Sequence, residues 1–320
     1  MTTHAPTDDD PRALASIAVL WAAVLLGLAG VAAFAAVVLA PLVAATAEPF
    51  REGHVPKDSP LYLRSTVRPP GVLHLAGSGT NLPLTRALAD AFTARNPGVN
   101  LVVYESIGSS GGVMAAYDDV VDLGLVSRPL REREAALGVV TIPYARIPVV
   151  AAVNLHVPDA AITSRELVDI YAGRKTRWSD GSPIVVLQRE PGDSGHRAVG
   201  EALPAFAEAD AQAYRDRRWR VILHDRAMQE ALAITPGAIG LIDPGVISLE
   251  RLPLRALRLD GIDANEASVQ SKRYPFFKDL AFVAVEEPSG LAAEFVRFTL
   301  GDEARALMRA HGYVPLPEVQ

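Results

Sequence analysis

The sequence predicts an α/β chain folded in two lobes behind an N-terminal transmembrane helix. Three observations carry that expectation. No charge interrupts residues 13–47, a stretch dominated by Ala, Val and Leu. After Gly71 short β-rich runs alternate with helical periodicity, the pattern of a largely parallel sheet covered by helices. The pattern then restarts with its own turns near Ile162, which marks a second lobe.

Composition narrows the classes further. Among 320 residues, 49% are hydrophobic and 21% charged, so most of the chain should fold. The net charge of −6 runs against a protein that blankets nucleic-acid phosphates, and no nucleic-acid partner is expected. With Cys 0 there is no disulfide, thiolate metal site, cysteine nucleophile or lipidated N-terminal cysteine.

Residues 1–13 form a short tail and residues 14–44 the membrane segment, since about 20 apolar residues suffice to cross a bilayer. A removable signal has an apolar core of only about 7–15 residues, which favours a retained anchor. Ala45-Thr46-Ala47 nevertheless offers a small-x-small cleavage site. Residues 45–70, with Pro49, Pro56, Pro60, Pro69 and Pro70, read as an extended tether. Arg51, Lys57 and Arg64 follow the span, so charge counting alone leaves the body on the cytoplasmic side.

The body divides into lobe one, residues 71–150 and 251–320, and lobe two, residues 151–250. Val72 to Ala76 is a predicted strand. Pro83 then opens a helix with Leu84, Leu88 and Phe92 on one face and Asn96-Pro97-Gly98 as its stop. Val99 to Tyr104 and Asp122 to Val126 are further strands, with a glycine-rich turn and the helix Val113 to Asp118 between them. Ile147 to Val153 is a longer apolar run. Lobe two offers helix Ser164 to Tyr171, strand Ile184 to Leu187 and a helix from Gly195. Leu280 to Val285 is a late strand, and a long helix is expected from Leu291, with Phe295, Phe298 and Leu307 as core contacts.

One device recurs three times: small residues placed where a helix begins. They are Gly77-Ser78-Gly79-Thr80-Asn81, Gly108-Ser109-Ser110-Gly111-Gly112 and Gly192-Asp193-Ser194-Gly195. Free N–H groups and the positive end of the helix dipole favour an anion there, and small residues let it approach. Glycine also simply closes strand-to-helix turns, so the repetition carries the weight. Arg189, just before the third start, could add a bidentate contact to an oxyanion, its alternative being a surface ion pair.

The run Ala76-Gly77-Ser78-Gly79-Thr80, followed by Ile107-Gly108-Ser109-Ser110-Gly111-Gly112, Asp122-Leu123-Gly124, Trp178-Ser179-Asp180-Gly181, Arg189 with Asp193-Ser194-Gly195, Pro236-Gly237-Ala238-Ile239-Gly240 and Gly312-Tyr313-Val314-Pro315-Leu316, resembles the phosphate-binding proteins of ABC transporters. The resemblance covers about residues 72 to 317 in order. It implies a two-lobed periplasmic-binding-protein fold that closes over phosphate or a similar oxyanion without metal or cofactor. It also implies delivery to an ABC permease and a body on the extracytoplasmic face of the cytoplasmic membrane, against the charge count. Carried over by position, the ligand contacts fall on Thr80, Asn81, Ser109, Arg189, Ser194, Gly195 and His196, with Ser127 where the family has an aspartate.

Three departures follow. His196 stands in place of the usual threonine, and the segment from Arg189 to Ser194 is one residue longer than the common form. The family's aspartate accepts the proton of hydrogen phosphate; Ser127 can both donate and accept and cannot enforce that choice. Asp193 is a candidate replacement, either taking the ligand's proton or orienting Arg189.

Two other functions are weighed against anion transport. A membrane-anchored serine hydrolase would use Ser110, in a G-x-S-x-G pattern, or Ser194, with His196, His224, His311 and Asp243 as possible triad members. An anion-sensing receptor would bind the same ligand and feed no transporter. The seven histidines are scattered, none four residues from another, so no metal site is expected. Arg215, Arg217, Arg218, Trp219 and Arg220 read chiefly as a solvated or ion-paired surface segment.

Overall fold

The computed structural model describes residues 70–316. The expected tail, membrane segment 14–44 and tether up to residue 69 lie outside the described residues; among those described, no helix is long and apolar enough to cross a membrane.

The first lobe begins with β1 (Val72–Gly77), α1 (Leu82–Arg95), β2 (Asn100–Val103), α2 (Gly108–Tyr117), β3 (Leu123–Val126), α3 (Glu132–Ala135) and β4 (Val140–Pro148). The chain crosses into the second lobe as β5 (Val150–Asn154), β6 (Ala161–Ile162), α4 (Ser164–Tyr171), β7 (Val185–Arg189), α5 (Ser194–Ala202), α6 (Pro204–Arg215), β8 (Arg220–Ile222) and α7 (Asp225–Ile234). That lobe continues with β9 (Ala238–Ile242), α8 (Pro244–Leu249), β10 (Leu254–Ala256), β11 (Arg258–Leu259) and α9 (Glu266–Gln270). It then returns as β12 (Phe277–Ala284), α10 (Gly290–Leu300), α11 (Asp302–Ala310) and β13 (Val314–Pro315).

The first sheet has the order β13-β4-β12-β3-β1-β2 and the second β10-β5-β9-β7-β8, while β11 and β6 form a separate pair. Parallel pairing joins β1 to β2 and β3, and β7 to β8 and β9. The sheets are more mixed than the expected parallel pattern, and the crossing explains it. Strand β4 leaves the first lobe where β12 returns, so the two run antiparallel from Phe277 opposite Pro148, and Val149 N donates to Phe276 O at 2.8 Å. The expected apolar run Ile147 to Val153 is thus two strands that pass from one lobe to the other.

The return point falls later than residue 251. Strand β10 pairs with β5, and Leu254, Leu257, Val269, Tyr274 and Phe276 belong to the core of the second lobe. Lobe two therefore extends to Phe276. The long helix expected from Leu291 is two helices, α10 and α11, broken at the extended Gly301.

Helix α1 matches its periodicity: Pro83 lies in the first turn, and Leu84, Leu88 and Phe92 are buried against Leu73, Leu125 and Phe295 in the first core. Helix α2 starts earlier than the expected Val113, because the glycine-rich run is its first turn. A Cβ on Gly112 would lie 2.7 Å from Leu125 O, and one on Gly124 only 2.3 Å from Gly112 O. These two glycines let α2 lie directly on the sheet, bringing Ser109 and Ser110 to the ends of β1 and β3. The arginine-rich segment is tied to its own lobe: Arg218 pairs with Asp216 at 2.7 Å, and Trp219 Nε1 donates to Tyr171 O at 2.9 Å.

Candidate functional site

Parallel strands direct the loops at their C-terminal ends to one edge, where open α/β sheets commonly bind ligands. Here the loop after β1, the start of α2, the loop after β7 and the start of α5 meet across a cleft of about 1140 Å³ between the lobes. Thr80, Ser109, Arg189 and Ser194 all line it, so four of the expected residues come together from both lobes.

Lys278, on β12, organises the floor. Its Nζ lies 2.8 Å from Thr80 Oγ1, 3.4 Å from Ser194 Oγ and 3.0 Å from Asp243 Oδ1. An ammonium group only donates, so Thr80 and Ser194 must accept from it and keep their own hydroxyl protons for another partner. Ser194 also accepts from Ser127 Oγ at 3.1 Å, and Ser109 Oγ accepts from Ser127 N at 3.3 Å. Three hydroxyls are therefore polarised as donors beside the start of α2, where the N-cap residue Ile107 supplies no capping side chain and the Gly108 amide reaches Ser106 Oγ at a long 3.4 Å. That is the chemistry of an anion site. Burial pushes the Asp243 carboxyl above the usual aspartate value, against the pull of Lys278.

Arg189 ends β7 with its guanidinium buried. Asp225 Oδ1 lies 2.9 Å from Nη1, Glu190 Oε2 lies 3.0 Å from Nε, and Asp193 Oδ2 lies 3.4 Å from Nη2. Burial works against its charge, but Asp225, Asp193 and Glu190 outweigh that and hold it protonated.

The remaining expected contacts are placed differently. Asn81 is fully buried, and its Nδ2 donates to Val126 O at 3.1 Å and Tyr144 Oη at 2.9 Å. It is a strut beneath the loop. Ser127 is 1% exposed and shares a 2.8 Å hydrogen bond with Ser78, so it supports Ser109 and Ser194 from behind. The amides of Gly195 and His196 both donate to Asp193 Oδ1 at 2.9 Å. This capping closes the helix-start donors that the resemblance implied. The His196 ring packs into the second core between Tyr171 and Phe206, with Nδ1 3.1 Å from Asp210 Oδ1.

Asp193 thus orients Arg189 and caps α5. Burial opposes its charge, yet His196, Arg189 and Lys278 together hold its carboxyl below the usual aspartate value. The hydrolase candidates have partners of another kind. Ser110 Oγ donates to Glu134 Oε1 at 2.8 Å and accepts from Arg128, while Ser194 meets Ser127 and Lys278. Neither hydroxyl engages an imidazole among these contacts, and His311 Nδ1 instead shares a 2.8 Å hydrogen bond with Ser248.

Sequence reasoning missed Lys278 and Asp225. A signal for the first was present: Lys278 lies two residues before Leu280 on one strand, so alternation puts it on a core-facing side. Asp225 in the first turn of α7 looks like any acidic residue that favours a helix start.

Comparison with known proteins agrees with this architecture. A family model described as a PBP superfamily domain matches residues 64–303. The phosphate-binding protein PstS of Bacillus subtilis is 27% identical over 263 residues, covering 78% of this chain and 82% of that protein. A Clostridium perfringens protein, assigned as the substrate-binding protein of a phosphate ABC transporter and crystallised with bound phosphate, superposes with a TM-score of 0.66 at 24% identity, covering 77% of this chain and 99% of that one. An ABC-type phosphate transport receptor from Vibrio cholerae gives a TM-score of 0.55 at 20% identity, covering 77% of this chain and 100% of that one. With two lobes joined by paired crossings, a cleft between them and a family match over most of its length, the chain belongs to the PBP superfamily.

Proposed function

We propose that this protein is a solute-binding protein that captures a tetrahedral oxyanion, phosphate first, and delivers it to an ABC transporter. The observation that carries this is the meeting of three donor-polarised hydroxyls, Thr80, Ser109 and Ser194, with the buried Arg189 at one cleft lined by both lobes. The relatives named as phosphate-binding proteins support phosphate over other oxyanions. The body works outside the cytoplasmic membrane, held there by residues 14–44 as a retained anchor. The strands that cross at Val149 and Phe276 form the hinge about which the lobes close on the anion.

Calorimetry of the full-length chain in detergent tests this. Saturable binding of phosphate is expected, with arsenate binding comparably because its shape and proton are alike. Absence of heat with phosphate, arsenate and sulfate would reject the proposal.

A further inference from the structure

Every hydroxyl that faces the proposed oxyanion offers a proton, so a ligand that carries its own proton needs an acceptor, which Ser127 does not supply. The nearby acids are mostly committed. Asp193 Oδ1 holds two amides while Oδ2 faces Arg189, Asp243 lies on Lys278, and Glu190 is paired along Arg189.

Asp225 differs from these. It opens α7 in the second lobe, its Oδ1 accepts from Arg189 Nη1 at 2.9 Å, and its Oδ2 has no hydrogen bond among the described residues. That second oxygen points across the cleft at the first lobe, where a Cβ on Gly79 would lie only 1.9 Å from it. Gly79 precedes Thr80, so Oδ2 stands between the arginine and the donor loop. A carboxylate only accepts: it would hold the proton of a protonated oxyanion and repel one that is fully ionised.

We infer that Asp225 is the specificity-determining acceptor of the cleft, doing from the second lobe what an aspartate at position 127 would do from the first. This rests on the proposed oxyanion site. The absence of a side chain at Gly79 is part of the device, since any larger residue would displace the carboxylate.

The test is calorimetry of the full-length chain with phosphate and with sulfate. Wild-type protein should prefer phosphate, and Asp225→Asn should lower the phosphate-to-sulfate affinity ratio by roughly tenfold or more. Glu105→Gln removes the same charge from the cleft rim, where Glu105 pairs with Arg86, and should leave the ratio unchanged. Gly79→Ala, which displaces the Asp225 carboxylate with its charge intact, should lower the ratio in the same direction and decides the matter if Asp225→Asn does not fold. A wild-type preference that survives in both Asp225→Asn and Gly79→Ala, or an equal drop in Glu105→Gln, overturns the inference and leaves the oxyanion site standing. Equal wild-type affinity for the two anions also overturns it alone, whereas binding of neither removes the proposed function and this inference together.

Discussion

The two lobes begin a helix at the cleft in the same sequence style and use it in opposite ways. In the first lobe the N-cap residue of α2 supplies no capping side chain, while the neighbouring Arg128 is sealed: its Nη1 and Nη2 lie 2.7 Å from the two oxygens of Glu134, and Nη2 also donates to Ser110 at 2.8 Å. In the second lobe Asp193 caps the first amides of α5, and Arg189, as buried as Arg128 and lining the same cleft, is shared among Asp225, Glu190 and Asp193. One lobe leaves its helix start without an N-cap side chain and locks its arginine on a single carboxylate; the other caps its helix start and spreads its arginine over three. A glycine-serine run therefore marks where an anion can come, but the neighbouring acids decide which groups remain to meet it.

The largest effect should come from the sealed side. Glu134→Ala leaves Arg128 buried without its partner, and loss of one member of a buried pair costs about 3–5 kcal/mol. Chemical denaturation measures it. Although burial raises the Glu134 carboxyl, hydrogen bonds from Arg128, the Arg131 amide and Ser110 bring it down to about 2. A depressed folded value means that this stabilisation is complete above the ordinary value of 4.5 and is lost as pH falls through about 2. Glu134→Gln should remove that acid-induced loss of stability.

In the second lobe, Arg189→Ala should weaken phosphate binding by roughly tenfold or more, since a charge-assisted hydrogen bond contributes about 1.5–3 kcal/mol. Titration calorimetry reads this, with circular dichroism as the check on folding. Unchanged affinity in a folded variant would take Arg189 out of the site and end the contrast between the two arginines.

The smallest effect sharpens the comparison. Asp193→Ala removes the cap of α5, at a cost of about 0.5–2 kcal/mol in thermal or chemical unfolding. It also opens the amides of Gly195 and His196, making the second helix start resemble the first. Sulfate affinity should then rise.

What the sequence made legible follows physical range. The face of α1 was readable because Leu84, Leu88 and Phe92 repeat over one helix, and Thr80, Ser109, Arg189 and Ser194 because each sits at a strand-to-helix junction. The direction of a side chain at such a junction was not. Asn81 turns under its loop and His196 turns into a core, since both depend on partners distant in sequence, Tyr144 and Val126 for one and Asp210 for the other. Lys278 reaches Thr80 only after the chain has travelled through the second lobe and come back. The lobe boundary was displaced for the same reason: β10 completes the second sheet by antiparallel pairing with β5, which local pattern does not encode.

The central claim is that one anion is held by donors from both lobes. Phosphate affinity of Ser109→Ala, Ser194→Ala and the double variant tests it most directly. Loss in each single variant, with a further loss or none left to lose in the double, is the predicted result. If removing one of these hydroxyls leaves phosphate affinity unchanged in a folded protein, the anion is not held across the cleft and the account is contradicted.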